Sequence, residues 1–185
     1  MKNTHLEHLE DNILNGGSDG GREAVAFLRS LGDMLDQGMA DTRVTVKWDG
    51  APAIICGRNP ENKQFFVGTK SVFNKVDPKI IYSESDVDRL YSPGQLADKL
   101  KQSYRYFSTL NIPNVVQGDL LFTDDKYEAN IGGDTCVAFQ PNTIVYAVPK
   151  DSDIGQKINE AKIGIVFHTQ YDLSLIHISE PTRQP

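Results

Sequence analysis

The segment from residue 42 to residue 76 constrains the fold more than any other, because its apolar residues occur in short runs rather than at helical spacing. Three runs rich in Val, Ile and Phe predict three β-strands, at residues 44–46, 53–55 and 65–67. The first two runs are joined by Asp49-Gly50, a pair typical of tight hairpin turns. The segment therefore predicts an antiparallel sheet, with Lys47 at the mouth of its first connection.

Two amphipathic helices are predicted before this segment. Thr4 and Glu7 have the spacing of a capping box at the start of the first helix, and a Gly-Gly pair follows its apolar residues. The second helix is predicted over residues 21–37, with one apolar face formed by Val25, Leu28, Leu31 and Leu35. We expect residues 1–41 to form a helical extension packed on a sheet domain.

The remainder of the chain mixes helices and strands. Residues 77–91 are predicted to be a loop, followed by a helix with Pro93 at its first position and an apolar stripe of Leu96, Leu100, Tyr104 and Phe107. Further elements are predicted in this order: a strand at 115–122, a hairpin at 123–135, a strand at 143–148, a helix at 153–162 and a strand at 162–169. The fold class expected is α+β with a largely antiparallel sheet over residues 42–173.

Composition favours an ordinary globular protein of the cytoplasm. The chain has 185 residues, of which 39% are apolar and 24% charged, enough for one domain with a core. No apolar run approaches the roughly 18 residues of a membrane span, so no membrane partner is expected. Cys56 and Cys136 lack metal-site spacing and are expected to be reduced and buried.

The net charge of −6 argues against a protein that coats nucleic acid, but the charge is unevenly distributed. Residues 42–80 contain seven basic and three acidic side chains, a local charge of +4. This concentration suits a ligand that carries phosphate; a solvated surface with chance clustering is the alternative. Lys47 is the candidate reactive group, because an amine flanked by Val46 and Trp48 is partly desolvated, which favours the neutral, nucleophilic form.

Lys47-Trp48-Asp49-Gly50 matches the Lys-x-Asp-Gly motif, and the order of the motifs after it resembles that of the covalent nucleotidyltransferases. That superfamily contains ATP-dependent DNA ligases, RNA ligases and mRNA capping enzymes. The resemblance implies a ligase adenylation-domain-like core, with ATP and Mg²⁺ as cofactors. It implies that Lys47 attacks the α-phosphate to form a lysine–AMP phosphoramidate, and that Asp49 orients the lysine or the ribose.

Later segments carry the resemblance further. Thr69-Lys70-Ser71 stands where the family has Ser-Arg-x-Gly, and Gly118-Asp119 stands where it has Gly-Glu. The resemblance implies that Lys70 neutralises phosphate and that Asp119 helps to hold Mg²⁺. The nucleotide-binding residues that it implies are Thr45, Trp48, Gly50, Lys75 and Tyr146, with Thr45 contacting the base and Tyr146 stacking on it.

The chain departs from the family pattern at three places. Pro52 stands where many relatives have Arg, Ile163-Gly164 lacks the Glu of the Glu-Gly motif, and the closing pair of lysines is absent. Structural roles for the candidate residues stay open: Asp119 paired with a loop backbone, Lys70 at the surface, Tyr146 and His168 in the core. The rival functions are a non-catalytic protein that binds nucleotides or nucleic-acid ends, and a phage structural protein that retains the fold.

A more specific resemblance is to uncharacterised proteins of large tailed phages, which implies kinship with them and a place in the infected bacterial host cell rather than an activity. It rests on residues 4–11, 47–53, 73–75, 117–119 and 141–149. Residues 174–185 instead resemble translated sequencing-adapter DNA, as found in assembled metagenomic genes. We expect this tail to be non-native and the native sequence to be truncated near Leu173, which would remove the closing lysines.

Overall fold

A computed structural model describes residues 9–37 and 47–171. The chain divides into two compact units, Met1–Lys47 and Trp48–Pro185. The described part of the first unit is helix α1 (Leu9–Gln37), which is broken at Gly17, where φ is 57° and ψ is −132°. The two predicted helices are therefore present as two stretches separated by a glycine kink. The Thr4–Glu7 cap, the strand at 44–46 and the tail at 174–185 lie outside the described residues.

The second unit has the predicted α+β class and antiparallel strand pairing, but its strands form two sheets rather than one. A four-stranded sheet has the order β2-β1-β3-β7, and a three-stranded sheet has the order β4-β5-β6. The strands are β1 (Ala53–Arg58), β2 (Phe65–Gly68), β3 (Val116–Phe122), β4 (Tyr127–Ile131), β5 (Asp134–Phe139), β6 (Tyr146–Pro149) and β7 (Gly164–Gln170). The helices are α2 (Glu84–Leu90), α3 (Gln95–Phe107) and α4 (Asp153–Glu160).

Two local predictions are wrong. Residues 77–91 are not simply a loop, because they contain α2, whose N-terminus is capped by the Ser83 side chain accepting from the backbone N–H of Asp86. Helix α3 begins at Gln95 rather than at Pro93, since Gly94 is its N-cap. The loop that follows β2 also contains a short 3-10 helix, Lys70–Phe73, capped by Thr69.

The predicted hairpin with a Gly-Gly turn is confirmed. Gly132 and Gly133 have φ values of 64° and 95°, the left-handed backbone that a tight turn between antiparallel strands requires. The paired strands extend from Tyr127 to Phe139, beyond the predicted end at residue 135. Strand β6 begins at Tyr146, three residues later than predicted.

Three apolar clusters form the core of the second unit. One face of the four-stranded sheet packs on α2 and α3 through residues that include Ile54, Cys56, Val67, Val87, Leu100 and Leu120. The opposite face packs on the segment after β2 through Ile55, Phe66, Val72, Ile80 and Val115. The third cluster joins the two sheets to α4 through Leu121, Phe122, Val137, Phe139 and Ile158.

Both cysteines are free and buried, as predicted. Within the described ranges, no helix is long and apolar enough to cross a membrane.

Candidate functional site

The segment that follows Lys47 runs alongside strand β3. Ala53 is paired with Asp119 in the sheet register. Before this pair, the N–H of Ala51 donates to the carbonyl of Leu120 at 2.9 Å, and the N–H of Leu120 donates to the carbonyl of Pro52 at 3.1 Å. Backbone hydrogen bonds thus bring the Asp-Gly-Ala-Pro-Ala segment next to Asp119, the predicted metal-binding residue.

Gly50 is needed for this close approach and not for a tight turn. A Cβ atom on Gly50 would lie 2.4 Å from the carbonyl oxygen of Leu120, far inside van der Waals contact. The φ angle of Gly50 is not positive, so the left-handed backbone of a tight Asp-Gly hairpin turn is absent. The predicted turn type is wrong, and a cis Ala51–Pro52 peptide bond leads into β1 instead.

Asp49 is held by residues from the segment before β6 and from β6 itself. Its N–H donates to the hydroxyl of Tyr146 at 2.8 Å. The Nδ2 atom of Asn142 donates to the backbone carbonyl of Asp49 at 3.2 Å and lies 3.3 Å from its Oδ2 atom. The structure therefore brings together Asp49 and Tyr146, which were predicted separately, and adds Asn142, which was not predicted.

Trp48 belongs to an aromatic cluster with Phe139 and Tyr146. Its ring centroid lies 5.1 Å from that of Tyr146 and 6.2 Å from that of Phe139, and the Phe139 and Tyr146 rings are stacked at 5.4 Å. Trp48 and Tyr146 are both half-buried. Trp48 and Asp49 are thus both anchored to the second sheet, the indole by ring contacts with Phe139 and Tyr146 and the Asp49 backbone by its hydrogen bond to Tyr146.

Asp119 faces His168 across the pair β3–β7. The register of this pair shifts between Gln117 and Gly118, so that His168 is the extra residue of a bulge. Its Nε2 atom lies 3.5 Å from Oδ1 of Asp119, and its Nδ1 atom lies 2.8 Å from Oγ1 of Thr169. The side chains of Asp119 and His168 are 24% and 33% exposed, so the expectation of a core histidine is wrong.

The lysine after β2 lies at the same end of the sheet as Asp119. Strand β2 is antiparallel to β1, with Gly68 opposite Ile55, so the chain leaves β2 at the end where β1 begins. Lys70 follows two residues after Gly68 and is exposed, as is Lys75. Over the described residues, the side chains of Lys70 and Lys75 make no hydrogen bond or ion pair.

Two predicted site residues remain, Lys47 and Thr45. Lys47 is exposed, so the desolvation expected from its apolar neighbours is not observed. Thr45 lies outside the described residues. Lys47 and Thr45 both belong to the first unit, whereas the aromatic cluster and Asp119 belong to the second.

Asp119 is the residue that fits Mg²⁺. Across residues 9–37 and 47–171 no group of three or more His, Cys, Asp or Glu side chains converges as a metal site. Mg²⁺ in nucleotide enzymes commonly takes one or two protein carboxylates and completes its shell with phosphate oxygens and water. A single half-buried carboxylate at the end of the sheet is compatible with that mode, in which the ion arrives with the nucleotide.

Comparison with known proteins places the chain in a family without assigning an activity. No curated protein and no solved structure matches the chain. The profile of a family described as a family of unknown function, DUF6267, matches residues 3–181, nearly the whole chain. The protein therefore belongs to the DUF6267 family.

Proposed function

We propose that the protein is a phage nucleotidyltransferase of the polynucleotide-ligase type, which forms a lysine–AMP intermediate from ATP. In this proposal the two sheets are a nucleotidyltransferase-like core that acts on nucleotides, and on nucleic-acid ends, in the cytoplasm of the infected host cell. The observation that supports it most is the hydrogen-bonded alignment of residues 51–53, which directly follow the Lys-x-Asp-Gly motif, with β3 at Asp119 and Leu120. A chance motif match would not require these two segments to be neighbours.

The proposed reaction is an in-line displacement at the α-phosphorus of ATP. The neutral Nζ atom of Lys47 forms a bond to phosphorus, the bond to the oxygen bridging the α- and β-phosphates breaks, and pyrophosphate leaves. The nitrogen releases one proton to solvent, so that the product is a neutral phosphoramidate nitrogen carrying AMP. Such a displacement depends mainly on positioning and on neutralisation of phosphate charge.

The surroundings of the motif supply positioning and charge. Tyr146 and Asn142 fix the backbone of Asp49, so the residue two positions after the nucleophile is anchored. Lys70 makes no ion pair with any residue that the structure describes and lies at the end of the sheet where the motif segment joins β1. We assign to it the neutralisation of phosphate. Asp119 would hold the Mg²⁺ that accompanies the triphosphate, an ion that supplies further charge neutralisation.

Incubation with ATP labelled at the α-phosphate, in the presence of Mg²⁺, tests this proposal. The wild-type protein should acquire an acid-labile label that Lys47→Ala abolishes. Asp119→Asn should slow labelling without preventing folding, because the amide has the shape of the carboxylate. Lys63→Asn is the matched control: it removes another exposed lysine, and Asn tolerates the positive φ of 64° at that position.

A non-catalytic nucleotide-binding protein is the second candidate, and the exposure of Lys47 favours it. An exposed lysine side chain can bind phosphate through its charge without acting as a nucleophile. This alternative predicts ATP binding by equilibrium dialysis, weakened by Lys47→Ala, with no covalent label at any ATP concentration. Labelling that persists in Lys47→Ala would contradict the site assignment in both versions.

A further inference from the structure

A second concave site, within the second unit, lies beside the C-terminal end of α3 and extends along α4. It is a cavity of about 630 Å³ with predominantly apolar walls. The side chains that define its walls include Trp48, Phe107, Phe122, Ile154, Ile158 and Ile165. Ligand pockets for small molecules typically measure about 300–1,000 Å³ and are lined mainly by apolar and aromatic groups, so both the size and the lining fall in that class.

Asp119 is not among the residues that line the cavity, although its neighbours on β3, Leu121 and Phe122, are. Ile165 is paired with Leu120 in the register of β3 and β7, and both pack in the cluster that faces α3. Successive side chains on a strand point to opposite faces, so Asp119 faces away from that cluster. Trp48 is the residue that borders both regions, since it lines the cavity and packs on Tyr146.

Two lysines add positive charge at the edge of the cavity. Lys157 and Lys162 line it and are exposed, and among the described residues neither has an acidic partner. A third lysine, Lys126, uses its ammonium group to bond the carbonyls of Ile158, Asn159 and Ala161 at the end of α4. Burial, and then the nearby charge of Lys162, lower the pKa of Lys126.

We propose that this cavity is a binding site for an amphipathic anion with an aromatic body and a single acidic head group. The ring system fills the apolar cavity, and the head group pairs with Lys157 and Lys162 at the edge. The charge complementarity selects an anion over a neutral or cationic compound of the same shape. Binding at this site is measured without ATP, although Trp48 borders both this cavity and the candidate nucleotide site.

Anilinonaphthalene sulfonate is a suitable probe, because it combines an aromatic body with one fixed negative charge. Trp48 is the single tryptophan of the chain and lines the cavity, so energy transfer from its indole to the bound probe reports occupancy at this place. We expect saturable one-site binding with quenching of Trp48 emission. Lys157→Gln/Lys162→Gln should weaken binding by about fivefold, the effect of losing two exposed charge pairs.

Two comparisons make the test specific. Ile154→Glu places an acid at a wall position that is 53% exposed, so the fold should tolerate it while binding of the probe falls. Arg58→Gln/Lys63→Asn removes two exposed cations that do not line the cavity, and should leave the affinity unchanged. The proposal would be overturned if either cavity variant left the affinity for the probe unchanged. It would also be overturned if the control variant lost as much affinity as the cavity variants, or if the probe bound without quenching the emission of Trp48.

Discussion

Glycine is required at position 50 because the backbone there lies very close to β3. A methyl group at this position would overlap the Leu120 carbonyl, which is backbone held in the sheet and cannot move aside cheaply. Gly50→Ala should therefore destabilise the second unit by about 2 kcal/mol, the usual cost of overpacking. Urea unfolding followed by the fluorescence of Trp48 measures the change.

Gly21 provides the control for this substitution. A Cβ atom on Gly21 meets no atom within 4 Å, and the residue lies in α1 of the first unit. Gly21→Ala should leave the unfolding of Trp48 unchanged and slightly increase helicity. Equal stability of Gly50→Ala and the wild type would show that the segment before β1 is not held against β3.

The thiol of Cys56 should be unreactive in the folded protein. Burial raises the pKa of its thiol to about 12, whereas an unfolded cysteine ionises near 8.5. At about pH 8 an aromatic disulfide reagent should label Cys56 only after unfolding, as tested in a Cys136→Ser background. Rapid labelling of the native protein would contradict the buried position of the thiol in β1.

The raised pKa of the Cys56 thiol also predicts how the free energy of unfolding changes at alkaline pH. Above the unfolded value the unfolded state releases the thiol proton and the folded state retains it, so the free energy of unfolding falls between about pH 8.5 and pH 12. Cys56→Ala should lower overall stability but flatten this part of the pH profile.

At the scale of elements, β6 and the segment before it anchor the motif. The bond from the Asp49 N–H to the Tyr146 hydroxyl joins residues 97 positions apart. Tyr146→Phe removes that acceptor while keeping the ring contacts with Trp48 and Phe139. We expect a loss of about 1 kcal/mol, the usual contribution of one hydrogen bond, and faster amide exchange at Asp49.

Tyr127→Phe is the matched substitution for this prediction. Tyr127 is 47% exposed on strand β4, and its hydroxyl makes no hydrogen bond over the described residues. Its removal should change neither stability nor exchange at Asp49. If Tyr146→Phe behaves in the same way, Tyr146 acts only through its ring.

The elements that sequence predicts well are those encoded locally. Short consecutive apolar runs identify β1 and β2, and the turn of the β4–β5 hairpin follows from adjacent glycines. Helix α2 was not predicted, because its seven residues are too few to show a clear helical period, although Ser83 and Asp86 have capping-box spacing. The bulge at His168 depends on how β7 pairs with β3, and no residue within β7 predicts it.

At the scale of the whole second unit, the candidate site is assembled by contacts between distant segments. Motif order correctly nominates Asp49 and Tyr146 as members of one region, but not their direct hydrogen bond. Asn142 and His168 were not assigned to the site, since neither belongs to the nucleotidyltransferase motifs that suggested it. Their roles follow from sheet pairing and from the path of the chain between β5 and β6, which are long-range properties of the fold.

The position of AMP on the chain decides between a nucleotidyltransferase and a protein that only binds nucleotide. After incubation with ATP and Mg²⁺, peptide mapping by mass spectrometry at neutral pH should find one AMP group on the peptide that contains Lys47. Tandem fragmentation should place the group on the Lys47 side chain, and Asp119→Asn should reduce its yield. A protein that binds ATP yet carries no AMP, or carries it on another residue, would contradict the proposal.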